Sequence, residues 1–201
     1  MGVSEGQPSW RVLLIGGASG VGKTQVSYRL ARHYGVGITE VDDFQIVLER
    51  MTTPEQYPPL HYWRTHFDEA LRMDDQAKLD HMIAYATVMA EALTPVIANH
   101  VEYCAPVVLE GDFILPSLAL QPGDSARHVR GLFLYEADEG QILSNYLQRG
   151  EQPDHLQRRA RSSWRYSEWL RAECARLGVP AIPARPWETV LERAIATIDG
   201  C

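Results

Sequence analysis

Short apolar runs alternate along this chain with longer stretches whose apolar positions recur every three or four residues. Arg11-Val12-Leu13-Leu14-Ile15 is the first short run and fits a buried strand. Val26, Leu30 and Tyr34 follow at helical spacing, and Gly35 suits the helix end. Four more runs read as strands: Gly37–Val41, Pro106–Glu110, Gly131–Tyr135 and Val179–Ile182. Between the second and third lies a long helical pattern of Leu79, Met82, Ile83, Ala86, Met89, Ala90, Leu93 and Ile97, which Pro95 is expected to kink or restart. A last helix, Trp187 to Ile198, presents Val190, Leu191, Ala194, Ile195 and Ile198 on one face, with Pro186 at its start. Strand and helix in alternation predict an α/β fold on a parallel sheet.

Two segments exceed what a crossover requires. Phe44 to Ala105 separates strands two and three and holds the stretch Tyr57-Pro58-Pro59-Leu60-His61-Tyr62-Trp63. Ligands of open α/β sheets bind beyond the carboxyl ends of the strands. A helical insertion (44–105) leaving the tip of strand two is therefore placed to cover a substrate. The segment 136–165 carries Arg149, Arg158, Arg159, Arg161 and Arg165 and is expected to form a lid. At 201 residues the chain reads as one domain (1–201) bearing both additions.

Composition narrows the function classes. A net charge of −7 argues against a general nucleic-acid binder, which needs a basic face. No apolar run of membrane-spanning length occurs and Met1–Ser9 is polar, so no membrane partner and a cytoplasmic location are expected. Cys104, Cys174 and Cys201 lack the C-x-x-C spacing of a zinc site and read as free thiols of a reducing compartment. No histidine pair has metal-ligand spacing and no G-x-S-x-G elbow occurs.

The chemistry concentrates after the first strand. Gly17-Ala18-Ser19-Gly20-Val21-Gly22-Lys23-Thr24 is an unbroken G-x-x-x-x-G-K-[ST] loop. Its glycines let backbone N–H groups turn inward to cradle phosphate oxygens. Lys23 sets a positive charge on the β/γ-phosphates, and the Thr24 hydroxyl is a Mg²⁺ ligand. The helix beginning there adds its positive end. Asp42-Asp43 is expected at the tip of strand two, with Asp42 as the base that takes the proton of an acceptor hydroxyl and Asp43 capping. Glu110 ends strand three, as a carboxylate holding a Mg²⁺-bound water does, and Asp112 beyond it is a further substrate contact. Arg158 and Arg161, three apart, share a helical face from which they neutralise charge on a transferring group. Arg185, in Ala184-Arg185-Pro186-Trp187 after strand five, is a candidate nucleotide contact.

Gly17–Thr24, Val41-Asp42-Asp43-Phe44 and Leu109-Glu110-Gly111 together resemble P-loop small-molecule kinases. The D-D-F and E-G strings resemble the uridine kinase and nicotinamide riboside kinase group. Val108-Leu109-Glu110-Gly111 through Pro116, and Ser163–Ser167 through Arg185-Pro186-Trp187, resemble 2-phosphoglycerate kinase-like proteins. The resemblance implies a three-layer fold with five parallel strands ordered 2-3-1-4-5, ATP and Mg²⁺ as cofactors, Asp42 as base and Glu110 as the strand-three acid. The function expected is ATP-dependent phosphoryl transfer to a hydroxyl of a small metabolite. The alternatives are a nucleotide-dependent switch ATPase and a kinase acting on a nucleotide sugar or macromolecule. The insertion fits none of these families, so the acceptor is open. Arg50, Arg64, Arg72 and Lys78 are its cations for a phosphorylated acceptor, and Tyr57, Tyr62 and Trp63 suit a ring.

Overall fold

The computed structural model describes residues 8–123, 127–150 and 155–200. Residues 151–154 of the expected lid, Cys201 and most of the polar stretch Met1–Ser9 lie outside them. Five strands, β1 (Val12–Gly16), β2 (Gly37–Glu40), β3 (Val107–Gly111), β4 (Val129–Tyr135) and β5 (Ala181–Pro183), pair in parallel in the order β2-β3-β1-β4-β5. The central strands β1 and β3 are buried at every position, as their unbroken Val/Leu/Ile runs require of strands covered on both faces. Helices α1 (Lys23–Tyr34) and α8 (Val190–Asp199) pack together on one side, against β3 and β4. On the other side α5 (Asp75–Glu102) and α7 (Leu156–Leu177) pack against β1, β4 and each other.

The segment between β2 and β3 is helical throughout: α2 (Val41–Met51), α3 (Pro58–Thr65), α4 (Phe67–Arg72) and α5. Its first helix starts earlier than the hydropathy pattern suggests. β2 stops at Glu40, and Asp42 and Asp43 occupy the first turn of α2 rather than a strand tip. Val41 causes the change. Its side chain turns inward against Gly111, where a Cβ would meet Val41 Cβ at 2.7 Å, so the chain bends into the helix there. Two carboxylates in a first turn also match the positive helix end.

Pro95 does not break or restart α5, which runs continuously from Asp75 to Glu102. The flanking Leu93 and Ile97 are fully buried, and this packing outweighs the lost backbone hydrogen bond. By length and composition α5 matches a membrane-spanning helix. Its Tyr85, Met89, Leu93 and Ile97 lie in the domain core, however, and its outward positions Asp80, Glu91, Asn99 and Glu102 are polar.

Helix α6 (Glu139–Gln148) and the start of α7 form a small core of their own from Ile142, Tyr146, Leu156 and Ala160. The Tyr146 and Ser163 hydroxyls hydrogen-bond at 2.7 Å across it. The segment expected as a lid is therefore a two-helix unit standing over the carboxyl end of β4.

Candidate active site

The loop between β1 and α1 is shaped by positive-φ glycines. Gly22, at φ 96°, caps α1, and a Cβ on it would meet the Trp187 ring at 2.7 Å. Only glycine satisfies both the backbone and the ring. Lys23 opens α1 and is 5% exposed. Its ammonium donates to the Ala18 carbonyl at 3.2 Å and forms an ion pair with Asp112. Burial by itself lowers the Lys23 pKa, but the Asp112, Glu110 and Asp42 carboxylates more than offset it and hold the ammonium above its usual value.

Register brings the acids to this lysine. Ile15 pairs with Glu110 and Gly16 with Gly111, so β3 ends beside the point where the loop leaves β1. Glu110 is 4% exposed, interacts with the Thr24 hydroxyl, and has one carboxylate oxygen, Oε2, buried without a hydrogen-bond partner. Burial raises its pKa, against the pull of Lys23 and Thr24. Asp42 sits within the electrostatic reach of both Lys23 and Asp112. Partial burial and then Asp112 raise its pKa, while Lys23 opposes them. Asp112 has the more direct role in the geometry, and the signal for it in the sequence was only its place after Glu110-Gly111.

A cavity of about 350 Å³ opens from Ser19 of the loop and from Asp112. Trp63 of α3, Phe67 and Ala70 of α4, and Lys78 and Met82 of α5 form one wall. His155, Arg158, Arg159 and Ser162, at the start of α7, line the cavity as well. The Tyr57–Trp63 stretch divides: Trp63 faces the cavity, while Tyr62 stacks on His81 at 4.0 Å and on His66 at 4.8 Å. His61 is buried and hydrogen-bonds Thr52 Oγ1 at 2.9 Å, linking α3 to the end of α2.

The two arginines expected on one face part company. Arg158 lines the cavity with its guanidinium 2.8 Å from His155 Nδ1. Arg161 turns to Asp75 at 2.6 Å and Glu139 at 3.3 Å, bridging α7 to α5 and α6 outside the cavity lining. The neighbouring Arg159 lies over the Tyr146 ring, 4.5 Å from its centroid, and also lines the cavity.

On the other side of the loop a second depression, about 320 Å³, is bounded by Gly20, Gly22, Gln25, Asn145, Arg185 and Trp187. Arg185 is 3.4 Å from the buried Glu136 carboxylate, and its guanidinium lies 5.6 Å from the Trp187 ring. Asn145 donates to the Gly20 carbonyl at 2.7 Å, which fastens α6 to the phosphate loop. The loop thus divides two sites: a polar one beside Arg185 and an apolar-walled one beside Asp112.

No protein-family model matches this sequence, and no curated protein matches it. Solved structures do resemble the fold. A gluconokinase from Sinorhizobium meliloti 1021 is 18% identical over 96% of this chain and 94% of its own, with a TM-score of 0.54. A shikimate kinase from Acinetobacter baumannii in complex with shikimate is 15% identical over 96% and 94%, with a TM-score of 0.55. A sugar kinase from Janibacter sp. HTCC2649 is 18% identical over 94% and 95%, with a TM-score of 0.52. The five parallel strands in the order 2-3-1-4-5, with helices on both faces, are the P-loop kinase fold.

Proposed function

We propose that this protein transfers the γ-phosphate of ATP to a hydroxyl of a small molecule. The reading rests above all on the juxtaposition of Lys23, Asp112, Asp42 and Glu110 between a phosphate-binding loop and a cavity of about 350 Å³. That volume suits a metabolite, at the low end of the range for ligand pockets. The loop N–H groups and the amino end of α1 hold the triphosphate. The polar depression beside Arg185 and Trp187 takes the nucleoside end.

The buried Oε2 of Glu110 without a partner, beside the Thr24 hydroxyl, fits a hydrated Mg²⁺. Thr24 and Glu110 would hold the ion, which when bound would supply positive charge to the phosphates. Lys23 exchanges Asp112 for phosphate oxygens when nucleotide enters, and Asp112 is released toward the acceptor. Asp42, whose raised pKa reflects burial and the Asp112 charge, accepts the hydroxyl proton. Arg158, on the cavity side of the lid, stabilises charge on the transferring phosphoryl. Gluconokinase and shikimate kinase neighbours, small-molecule kinases by name, support the same class. An ATP-using enzyme of this kind belongs in the cytoplasm.

Screening ATP turnover against hydroxyl-bearing metabolites, with Lys23→Ala as control, tests this reading. Acceptor-dependent ADP formation that Lys23→Ala abolishes is the expected result. ATP loss that no acceptor accelerates overturns it in favour of a switch ATPase.

A further inference from the structure

The acceptor cavity holds an ammonium that no carboxylate among the described residues pairs with. Lys78, on the first turns of α5, is 9% exposed and lines the cavity among Trp63, Phe67, Ala70 and Met82. Among the described residues no carboxylate lies within ion-pair distance of its ammonium and no hydrogen bond satisfies it. Asp75 is the acid whose charge it feels, and Arg161 at 2.6 Å and Arg165 at 3.8 Å already occupy that carboxylate. Asp112, the acid that lines the cavity, pairs with Lys23 and not with Lys78, and once nucleotide displaces it from Lys23 it meets the hydroxyl end of the acceptor. Arg158, beside His155, and Arg159, over the Tyr146 ring, also line the cavity.

An ammonium that opens onto an apolar-walled cavity with no carboxylate partner is a ready site for an anionic ligand, whose own burial it would offset. Of the insertion's four cations, Arg50, Arg64, Arg72 and Lys78, it is Lys78 that lines this cavity, and Arg64 is drawn instead to His61 at 3.1 Å. We infer that the acceptor of the proposed phosphoryl transfer is an anion, with a carboxylate or phosphate bound by Lys78 across the cavity from the Asp112 end. The inference rests on the kinase reading for its hydroxyl and on Lys78 for its charge. Trp63, Phe67 and Met82 then enclose the carbon skeleton between the two polar ends.

Calorimetric titration of the full chain, saturated with Mg²⁺ and a non-hydrolysable ATP analogue, tests this with paired probes. Glycerate and glycerol 3-phosphate are compared with glycerol, and gluconate with glucitol. The two anionic arms distinguish carboxylate from phosphate. The same probes are then offered with ATP. Expected is tighter binding of at least one anion than of its neutral partner. Lys78→Met should weaken that anion by roughly 10- to 100-fold while leaving nucleotide affinity unchanged, and Lys78→Arg should retain most of it. Should Lys78→Met not fold, Lys78→Gln provides the same comparison. Neutral probes binding as well as anions, Lys78→Met or Lys78→Gln binding as well as the parent, or no anion binding at about 10 mM overturns the inference. Phosphorylation of a neutral alcohol with the anions ignored keeps the kinase and removes the anionic acceptor. Lys78-dependent anion binding with no ATP consumed on any probe supports the anion site and removes the kinase.

Discussion

Burial, Asp112 and Lys23 are the largest of the influences on the titration of Asp42, and the two charges can be tested by substitution. Burial and Asp112 raise its pKa, and Lys23 lowers it. A base works only when ionised, so the activity it supports is lost as pH falls through its raised pKa. The acid limb of kcat/KM is expected above the ordinary range of an aspartate. Asp112→Asn removes one upward push and frees Lys23, so the residual activity of that variant should keep its acid limb to lower pH. An unmoved limb would take Asp42 out of the role of base. Asp42→Asn should cut kcat by about 10²–10⁴-fold while ATP still binds, measured by calorimetry. Asp42 and Asp112 stand 70 positions apart in sequence terms, and their coupling through one lysine depends on β3 lying beside β1.

Elements decide which of several similar residues faces the site. Arg158 and Arg161 share a helical spacing, yet the α7 face toward the cavity carries Arg158, while Arg161 reaches Asp75 and Glu139. Arg158→Ala is expected to lower kcat by about 10²–10³-fold. Arg161→Ala removes exposed, solvent-screened ion pairs and should leave Tm nearly unchanged, with kcat changed far less than in Arg158→Ala. Equal kcat losses in the two variants would show that both serve the transferring group. The end of β3 carries an opposite kind of residue, one that costs stability. Folded Glu110 binds its proton more tightly than the unfolded chain does, so its contribution to stability is present below about pH 4.5 and is lost as pH rises through the raised folded pKa. Glu110→Gln is therefore expected to raise Tm at neutral pH, by about 1–2 kcal/mol or roughly 2–8 °C. The gain should vanish near pH 4, and the same variant should lose Mg²⁺-dependent turnover. A Tm gain that is the same at pH 4 and pH 7.5 would contradict the burial argument. Pro95 teaches a related lesson at this scale: local chemistry called for a break, and the core contacts of Leu93 and Ile97 kept α5 whole.

The whole molecule is organised around the loop, which touches the sheet through β1, the lid unit through Asn145, and the last segment through Trp187. Nucleotide binding should accordingly stabilise the entire fold. At about 100 times Kd, Mg-ATP adds about 2.7 kcal/mol, or roughly 5–10 °C in Tm for a chain of this size, and Lys23→Ala should abolish that shift in a thermal melt. The periodic runs, the glycine loop and the order of elements were legible in the chain because they are local: a strand, its turn and its helix lie within a few tens of residues, and each is signalled by spacing alone. The strand order followed from the resemblance those motifs carry, and the sheet agrees with it. What spacing does not encode is direction across long separations. Asp42 sits in a helix turn and not on a strand because Val41 packs on Gly111, 70 residues later. Lys78 rather than Arg64 enters the cavity because of how α5 docks on α7 and the sheet. The chain by itself determined where a phosphate-binding loop stands; packing between distant segments decided which carboxylate meets Lys23 and which cation of the insertion lines the cavity.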